Sequence, residues 1–420
     1  MIDIFYDSYR VLTKVYSEGA FLKQALSDTF IEEKNRAHTT KICYGVLDRD
    51  IALDYDMNYL CDKRPKLAVR TVLKIAMYSL KYLRSAPYCV CDNAVELLKK
   101  LGKGGTAGFA NAFLRKYIKT EIPLPVDKYE RFSVMWSYPL FAVKRLIKDY
   151  GEEIASRIAE EGKERTLVRF FPGTDGEKYL ADRRWEFEKT PFENCFFVRG
   201  FKRNEDYDRG VYTFQSIGSA AIVDAVIDGK DRSSETILDA CAAPGGKSVA
   251  LSFAFSSVTA CELHAHRVNL IGEYVSRTGR ENVTALQADS SCFREEFESK
   301  FDVVLTDVPC SGFGVVSDNP DIKRNRTDAD VTELTKLQLS VLDNCSRYVK
   351  PGGELVYSTC SVFRAENDGV AEAFLREHET FEEIPCESPL AHLRFGHGMT
   401  FLPYLSEGAG FYVCKFRRKQ

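Results

Sequence analysis

From residue 3 to about 119, apolar residues recur three and four positions apart with few β-branched alternations, a spacing that predicts helices almost throughout. Pro65 suits the first turn of one of them, in which Val69, Val72, Leu73, Ala76, Leu80 and Leu83 supply an apolar face. The run Glu121-Ile122-Pro123-Leu124-Pro125 then breaks any helix twice. Helical spacing resumes from about Asp127 to Gly162, interrupted at Pro139. Short strands are predicted at Thr166 to Phe171 and Phe196 to Arg199, and a helix from Gln215 to Ile227.

Beyond residue 235 the period switches regularly between two and three-to-four. Strands are predicted at Thr236 to Asp239, Ser257 to Cys261, Val283 to Ala288, Phe301 to Asp307 and Glu354 to Tyr357. Helices are predicted at Ser248 to Phe255, Arg267 to Thr278, Thr332 to Val349 and Glu366 to Glu377. That alternation calls for a parallel sheet with helices on both faces. The expected organisation is a helical domain over 1–125, a linking subdomain over 126–232 and an α/β core over 233–420.

The composition, 45% hydrophobic and 28% charged over 420 residues, is that of a water-soluble protein with sizeable cores. The first residues lack a basic-then-apolar leader and no stretch approaches ~20 uninterrupted apolar residues, so a cytoplasmic location and no membrane partner are expected. Thirteen cysteines without repeated Cys-x-x-Cys pairs argue against a disulfide framework or a zinc ribbon, and no metal is expected.

Residues 1–125 carry 20 Lys and Arg against 14 Asp and Glu, while the formal charge of the whole chain is -3. Between Lys63 and Arg84 there are seven basic residues and no acidic one. Lys63, Arg64, Lys66, Arg70, Lys74 and Lys81 are therefore candidates for a ridge that contacts a phosphate backbone, the plain alternative being a solvated helix face.

The segment Asp239-Ala240-Cys241-Ala242-Ala243-Pro244-Gly245-Gly246-Lys247 places small residues between a strand and a helix, where backbone amides can approach a ligand closely. It matches neither Gly-x-Gly-x-x-Gly nor a Walker loop, which disfavours NAD and ATP. Glu262, Asp289 and Asp307 follow at successive strand ends. In an open α/β sheet that edge is where ligands bind, and a carboxylate after the second strand suits ribose hydroxyls. Two cysteines arrive at the same edge, Cys310 in Asp307-Val308-Pro309-Cys310-Ser311-Gly312 and Cys360 in Tyr357-Ser358-Thr359-Cys360-Ser361. A thiolate is a nucleophile that can activate the unreactive C5 of cytosine by adding at C6. Lys247 can supply positive potential, and Asp307 can hydrogen-bond the base. Spacing alone leaves open which thiol attacks.

These residues, together with Asn319-Pro320-Asp321-Ile322-Lys323, Pro351-Gly352-Gly353 and Glu366-Asn367, resemble the Nop/Sun family of RNA cytosine-5 methyltransferases. The resemblance is to its bacterial Sun branch. Cys43-Tyr44-Gly45-Val46-Leu47 and Gly108-Phe109-Ala110-Asn111-Ala112-Phe113-Leu114-Arg115 resemble the NusB-like domain of that branch. The resemblance implies an α/β, Rossmann-like class I methyltransferase core preceded by an all-helical NusB-like RNA-binding domain. It implies S-adenosylmethionine as donor, held by Cys241, Ala242, Ala243, Pro244, Gly245, Gly246, Lys247, Glu262, Asp289 and Asp307. Cys360 is implied as nucleophile and Cys310 as the thiol that helps resolve the adduct. The implied partner is RNA, foremost 16S ribosomal RNA, with no obligate protein partner. A transfer RNA methyltransferase and a non-catalytic RNA-binding or assembly factor are the alternatives. The chain departs from the family pattern at Phe171, where asparagine is usual, at Glu262, where aspartate is usual, and at Ala409 and Tyr412 in Ala409-Gly410-Phe411-Tyr412.

Overall fold

The computed structural model describes residues 2–161 and 165–420; the expected helix end at Gly162 lies outside the described residues. The chain divides into two units. One holds the residues up to Glu160 together with Val316–Thr327, and the other holds Glu161–Val315 and Asp328–Gln420. The expected linking region 126–232 is thus shared between them. No described helix is long and apolar enough to cross a membrane.

The first unit is helical, as its spacing predicts. Its central element is the helix Leu67–Lys81, where Val69, Val72, Leu73, Ile75, Ala76 and Met77 are all buried. Buried positions at 72, 73, 75, 76 and 77 cover more than one stripe, so neighbours surround this helix rather than flank it. The helix Glu33–Asp48 approaches it closely because position 45 is glycine: a Cβ there would meet the Tyr78 ring at 1.9 Å. The helix Asp50–Leu60 has no side-chain cap of its own. Its amides at Ile51 and Ala52 donate instead to the Ser137 hydroxyl, 3.1 and 3.3 Å away, which joins the later helices Lys128–Trp136 and Leu140–Glu160 to the same unit. Asn319 to Lys323 also belong here, with Lys323 buried and its Nζ 2.6 Å from Asp48 Oδ1.

The second unit contains two sheets. Strands β1 (Leu167–Phe170), β2 (Glu186–Lys189), β3 (Cys195–Arg199) and β4 (Tyr212–Gln215) form an antiparallel sheet in the order β2-β3-β1-β4. The larger sheet uses β5 (Thr236–Asp239), β6 (Ser257–Glu262), β7 (Val283–Gln287), β8 (Phe301–Asp307), β9 (Val349–Thr359), β10 (Phe381–Glu383), β11 (Met399–Phe401) and β12 (Phe411–Arg418). Its order is β10-β12-β9-β8-β5-β6-β7, with β11 beside β12. The pairs from β9 to β7 are parallel and those made by β12 are antiparallel.

Ile237, Leu238, Val303, Val304, Leu305, Leu355 and Val356 are essentially inaccessible, as continuous apolar runs in a sheet covered on both faces should be. From β5 the chain proceeds to β6 and β7 on one side, then crosses to β8 and β9 on the other. The carboxyl ends of β5 and β8 therefore border the switch point at which open α/β sheets bind ligands. Three expected elements have other bounds, two helices that end earlier and one strand that is longer. The helix after β5 spans only Gly246–Leu251, that before β9 stops at Ser346, and β9 itself begins at Val349.

Candidate active site at the switch point

At the end of β5, the Asp239 carboxyl is buried. Its Oδ2 accepts a hydrogen bond from Ser248 Oγ at 2.6 Å, and its Oδ1 has no partner. Burial pushes its pKa up to about 6. Gly245 adopts φ +104°, a conformation L side chains rarely take, and a Cβ there would press on Ile271 Cα at 3.3 Å. The loop from Cys241 to Gly246 thus exposes backbone beside an unsatisfied acceptor, an arrangement into which a small polar ligand fits. The Cys241 thiol is pushed well up by burial, so this residue contributes backbone rather than a thiolate.

Glu262 closes β6 nearly inaccessible to solvent. Its Oε1 accepts the His264 amide at 3.0 Å, and its Oε2 lies 3.1 Å from Arg267 Nη1. Arg267 in turn donates to Ala243 O, tying this strand end to the β5 loop. Asp289, beyond β7, accepts the Ser291 amide and hydroxyl through Oδ1, and those bonds hold its carboxyl below the usual range.

Asp307, the last residue of β8, sits at the centre. Lys247 Nζ is 2.7 Å from its Oδ2, and Ser358 Oγ donates to its Oδ1 at 2.8 Å. Ser358 is the residue opposite Asp307 in the β8–β9 register, so sheet pairing itself delivers the second bond. Burial works to lower the Lys247 pKa, but the adjoining Asp307 carboxylate outweighs it and the net shift is upward. The ammonium is therefore retained, and it is electrostatically coupled to Cys360.

The two cysteines follow these strand ends and meet, with Cys310 Sγ 2.9 Å from Cys360 Sγ and the Cys360 amide donating to Cys310 Sγ at 3.3 Å. The Cys310 thiol is pushed well up by its bond to Cys360 and by burial. Gly314 donates to Cys360 O at 3.0 Å and accepts from the Gly410 amide at 2.7 Å. A Cβ on Gly314 would lie 1.9 Å from Gly410 O, so only glycine allows the three segments to lie together.

Lys247, Asp307, Cys310 and Cys360 are thus brought to one place, with the 241–246 loop and Glu262 on adjoining strand ends. Sequence reasoning assigned no role to Asp239, Ser358, Gln338 or Glu366, although Asp239 and Glu366 stand within family motifs. The departures from the family pattern are accommodated locally: Phe171 stacks on Phe253, Ala409 is buried, and Tyr412 donates through its hydroxyl to His397 O at 2.8 Å. A cavity of about 1000 Å³ lined by Arg169, Phe171, Asn194, Asp224 and Phe253 lies among β1, β3 and their neighbouring helices and contains none of the predicted site residues.

Lys74 does not belong to the expected basic ridge. Lys74 is 1% exposed and ion-paired with Asp50 and Asp54, because its helix is surrounded and a lone buried ammonium would be costly. Arg64 pairs with Asp54 and Lys81 with Asp56, both at 2.9 Å. Lys63, Arg64, Lys66 and Lys81 are exposed and Arg70 is half-buried, so of the six candidates Lys74 alone is withdrawn from solvent.

Residues 227–417 match the family model described as 16S rRNA methyltransferase RsmB/F, and residues 8–119 match that of the NusB family. The chain is 33% identical to the probable ribosomal RNA small subunit methyltransferase B of Bacillus subtilis (strain 168), over 95% of this chain and 94% of that protein. The chain belongs to the ribosomal RNA small subunit methyltransferase B family. The solved structure of PH0851 superposes with a TM-score of 0.82 at 21% identity, covering 99% of this chain and 98% of its own. A methyltransferase homologue from Pyrococcus horikoshii gives a TM-score of 0.57 at 24% identity, over 68% of this chain and 97% of its own. These likenesses place the helical region and the Rossmann-like core in a shared fold.

Proposed function

We propose that this enzyme methylates C5 of a cytosine in 16S ribosomal RNA in the cytoplasm, with Cys360 as nucleophile and Cys310 as the thiol that resolves the adduct. Family membership supports an S-adenosylmethionine-dependent RNA methyltransferase. The observation that supports a two-thiol site is the 2.9 Å approach of the sulfurs beside the Lys247–Asp307 pair, and the division of labour between them follows the family resemblance.

The residues of the β5 loop fit the donor. The Asp239 Oδ1 acceptor is free, Gly245 opens the backbone, and Glu262 offers a carboxylate at the second strand end. S-adenosylmethionine supplies an electrophilic methyl carbon when bound. The chain's own work lies on the base, which is flipped into the site at a cost of a few kcal/mol, on the order expected for unstacking. The retained Lys247 ammonium favours a thiolate at Cys360, whose sulfur bonds to C6 while the C5=C6 electrons shift toward N3. Asp307, positioned by Lys247 and Ser358, accepts a hydrogen bond from the amino group of the base, and the Lys247 ammonium offsets the charge that develops at N3. Once C5 has taken the methyl group, it gives its proton to a water molecule acting as base, and the electrons of that C–H bond re-form C5=C6 as the Cys360 sulfur leaves with the C6–S pair. Cys310, in contact with the departing sulfur, assists this release.

Cys310→Ala should accumulate a covalent protein–RNA adduct and Cys360→Ala should form none, both read as gel-shifted species resistant to denaturation. Adduct formation by Cys360→Ala would reverse the roles. Bisulfite sequencing of 16S and transfer RNA from cells with and without the gene tests the substrate. A lost mark in 16S RNA is expected, and one confined to transfer RNA would overturn that part.

A further inference from the structure

Glu366 is fully buried, and its carboxyl gathers four neutral donors. Oε1 accepts the Ser311 amide at 2.8 Å and Gln338 Nε2 at 3.0 Å; Oε2 accepts the Ser311 hydroxyl at 2.5 Å and the Ser361 hydroxyl at 2.6 Å. Those two serines directly follow Cys310 and Cys360. Gln338 also donates to Pro309 O at 2.9 Å, so the residues on both sides of Cys310 are fixed through one glutamate–glutamine pair.

The next residue treats Cys360 in the same way. Asn367 Oδ1 accepts the Thr359 hydroxyl at 2.7 Å, and Asn367 Nδ2 donates to Ser361 O at 3.0 Å, bracketing Cys360 on both flanks. Tyr357 secures the bracket by donating its hydroxyl to Glu366 O. Burying a carboxyl among neutral donors is expensive unless every lone pair is used. Here the donors come from the two loops whose spacing the chemistry depends on.

We propose that Glu366 and Asn367 are positioning residues of different reach: Glu366, working with Gln338, holds chiefly Cys310, for release of the product, with one further bond to the Ser361 hydroxyl beside Cys360, whereas Asn367 holds Cys360 alone, for attack. This rests on the roles assigned to the two thiols above. Neither the Glu366 carboxyl nor the Asn367 carboxamide hydrogen-bonds a thiol; both act through the residues that flank the cysteines.

The experiment is single-turnover methylation of a 16S RNA fragment with adduct and product quantified separately, using variants whose melting curves are compared with the parent protein. Glu366→Ala should slow release by about 10²-fold, the scale of a 1 Å misplacement, so that adduct builds up as it does in Cys310→Ala. Glu366→Gln, which keeps the shape and one acceptor oxygen, should recover most of the release rate. Asn367→Ala should slow adduct formation while leaving release of what forms unchanged. S-adenosylmethionine affinity should stay within twofold in all three.

If Glu366→Ala does not fold, Gln338→Ala, which frees Pro309 O and removes one of the four donors, should shift the balance toward adduct in the same direction by a smaller factor. Folded variants that partition like the parent protein, or that depress both steps equally, would overturn the proposal. Failure of the underlying role assignment has a separate signature, which is adduct formation by Cys360→Ala.

Discussion

Replacing Lys74 by methionine separates two readings of the basic run between Lys63 and Arg84. If Lys74 belonged to a phosphate-binding ridge, its loss would lower the slope of log affinity against log salt by roughly 0.7 to 0.9 and leave the fold untouched. The structure gives a different expectation. The ammonium is 1% exposed, 2.9 Å from Asp54 Oδ1, and also bonded to Asp50, which accepts the Tyr16 hydroxyl as well. Methionine fills similar volume, but it leaves two carboxylates facing each other with no cation between them. Removing one partner of a buried pair costs about 3–5 kcal/mol. Part of the burden is relieved by Arg64 at Asp54 and by Arg324, 3.6 Å from Asp50 Oδ2, which sets the expectation for Lys74→Met toward about 3 kcal/mol. The assay is hydrogen exchange over the helices Asp50–Leu60 and Leu67–Lys81, with RNA binding measured across a salt series on the same protein. Loss of protection in those helices with an unchanged salt slope is expected. Parent-like protection with a reduced slope would refute the placement of Lys74. Lys63→Ala and Lys66→Ala, which alter exposed ammonium groups, should leave protection alone.

Glu354 is buried against Lys230, Arg232 and Lys415, and although burial alone would raise its carboxyl, these cations hold it at about 2. A depressed carboxylate contributes stability above its unfolded pKa that is lost as pH falls through the folded value, here between about 4.5 and about 2, and the shift corresponds to about 3 kcal/mol. Glu354→Gln should therefore be markedly less stable at pH 7 in urea unfolding, with the gap closing below pH 4.5; a gap independent of pH would contradict the assignment. Gly314→Ala should cut turnover by about 10²-fold while donor affinity stays within twofold, because the added methyl overlaps Gly410 O and displaces the backbone that fixes Cys360. Parent-like turnover in a kinetic assay would show that this approach does not govern the thiol.

The parallel strands were legible because their apolar runs are local and self-contained: Thr236–Asp239 and Phe301–Asp307 were bounded correctly at both ends. β12 was not foreseen. Lys415 interrupts its apolar run, and the acids that neutralise it, Asp228 and Glu354, lie far away in sequence. β2 escaped notice for the opposite reason, being short and largely exposed. Lys74 was misplaced through the same blindness to distance, since Asp50 and Asp54 stand outside the acid-free window yet fold against it.

The active site was legible to the extent that its chemistry demands rare groups. A thiol at a strand end is uncommon enough to point to chemistry, whereas a glutamate, a glutamine or a serine serves many purposes, and only folding reveals that they share one network. That network also answers a question the sheet leaves open. The β8–β9 register sets Asp307 against Ser358, so Cys310 lies three residues beyond that pair on one strand and Cys360 two beyond it on the other. One residue of slip would move a thiol by about 3.3 Å and turn the side chains to the opposite face. The hydrophobic core of the sheet penalises such a slip, but it cannot fix the loops beyond the last paired residue. Buried hydrogen bonds can, because each donor that loses its acceptor costs about 1–3 kcal/mol. The four donors on Glu366 and the two contacts of Asn367 therefore extend the order of the sheet past its edge, to the two sulfur atoms proposed to carry the reaction.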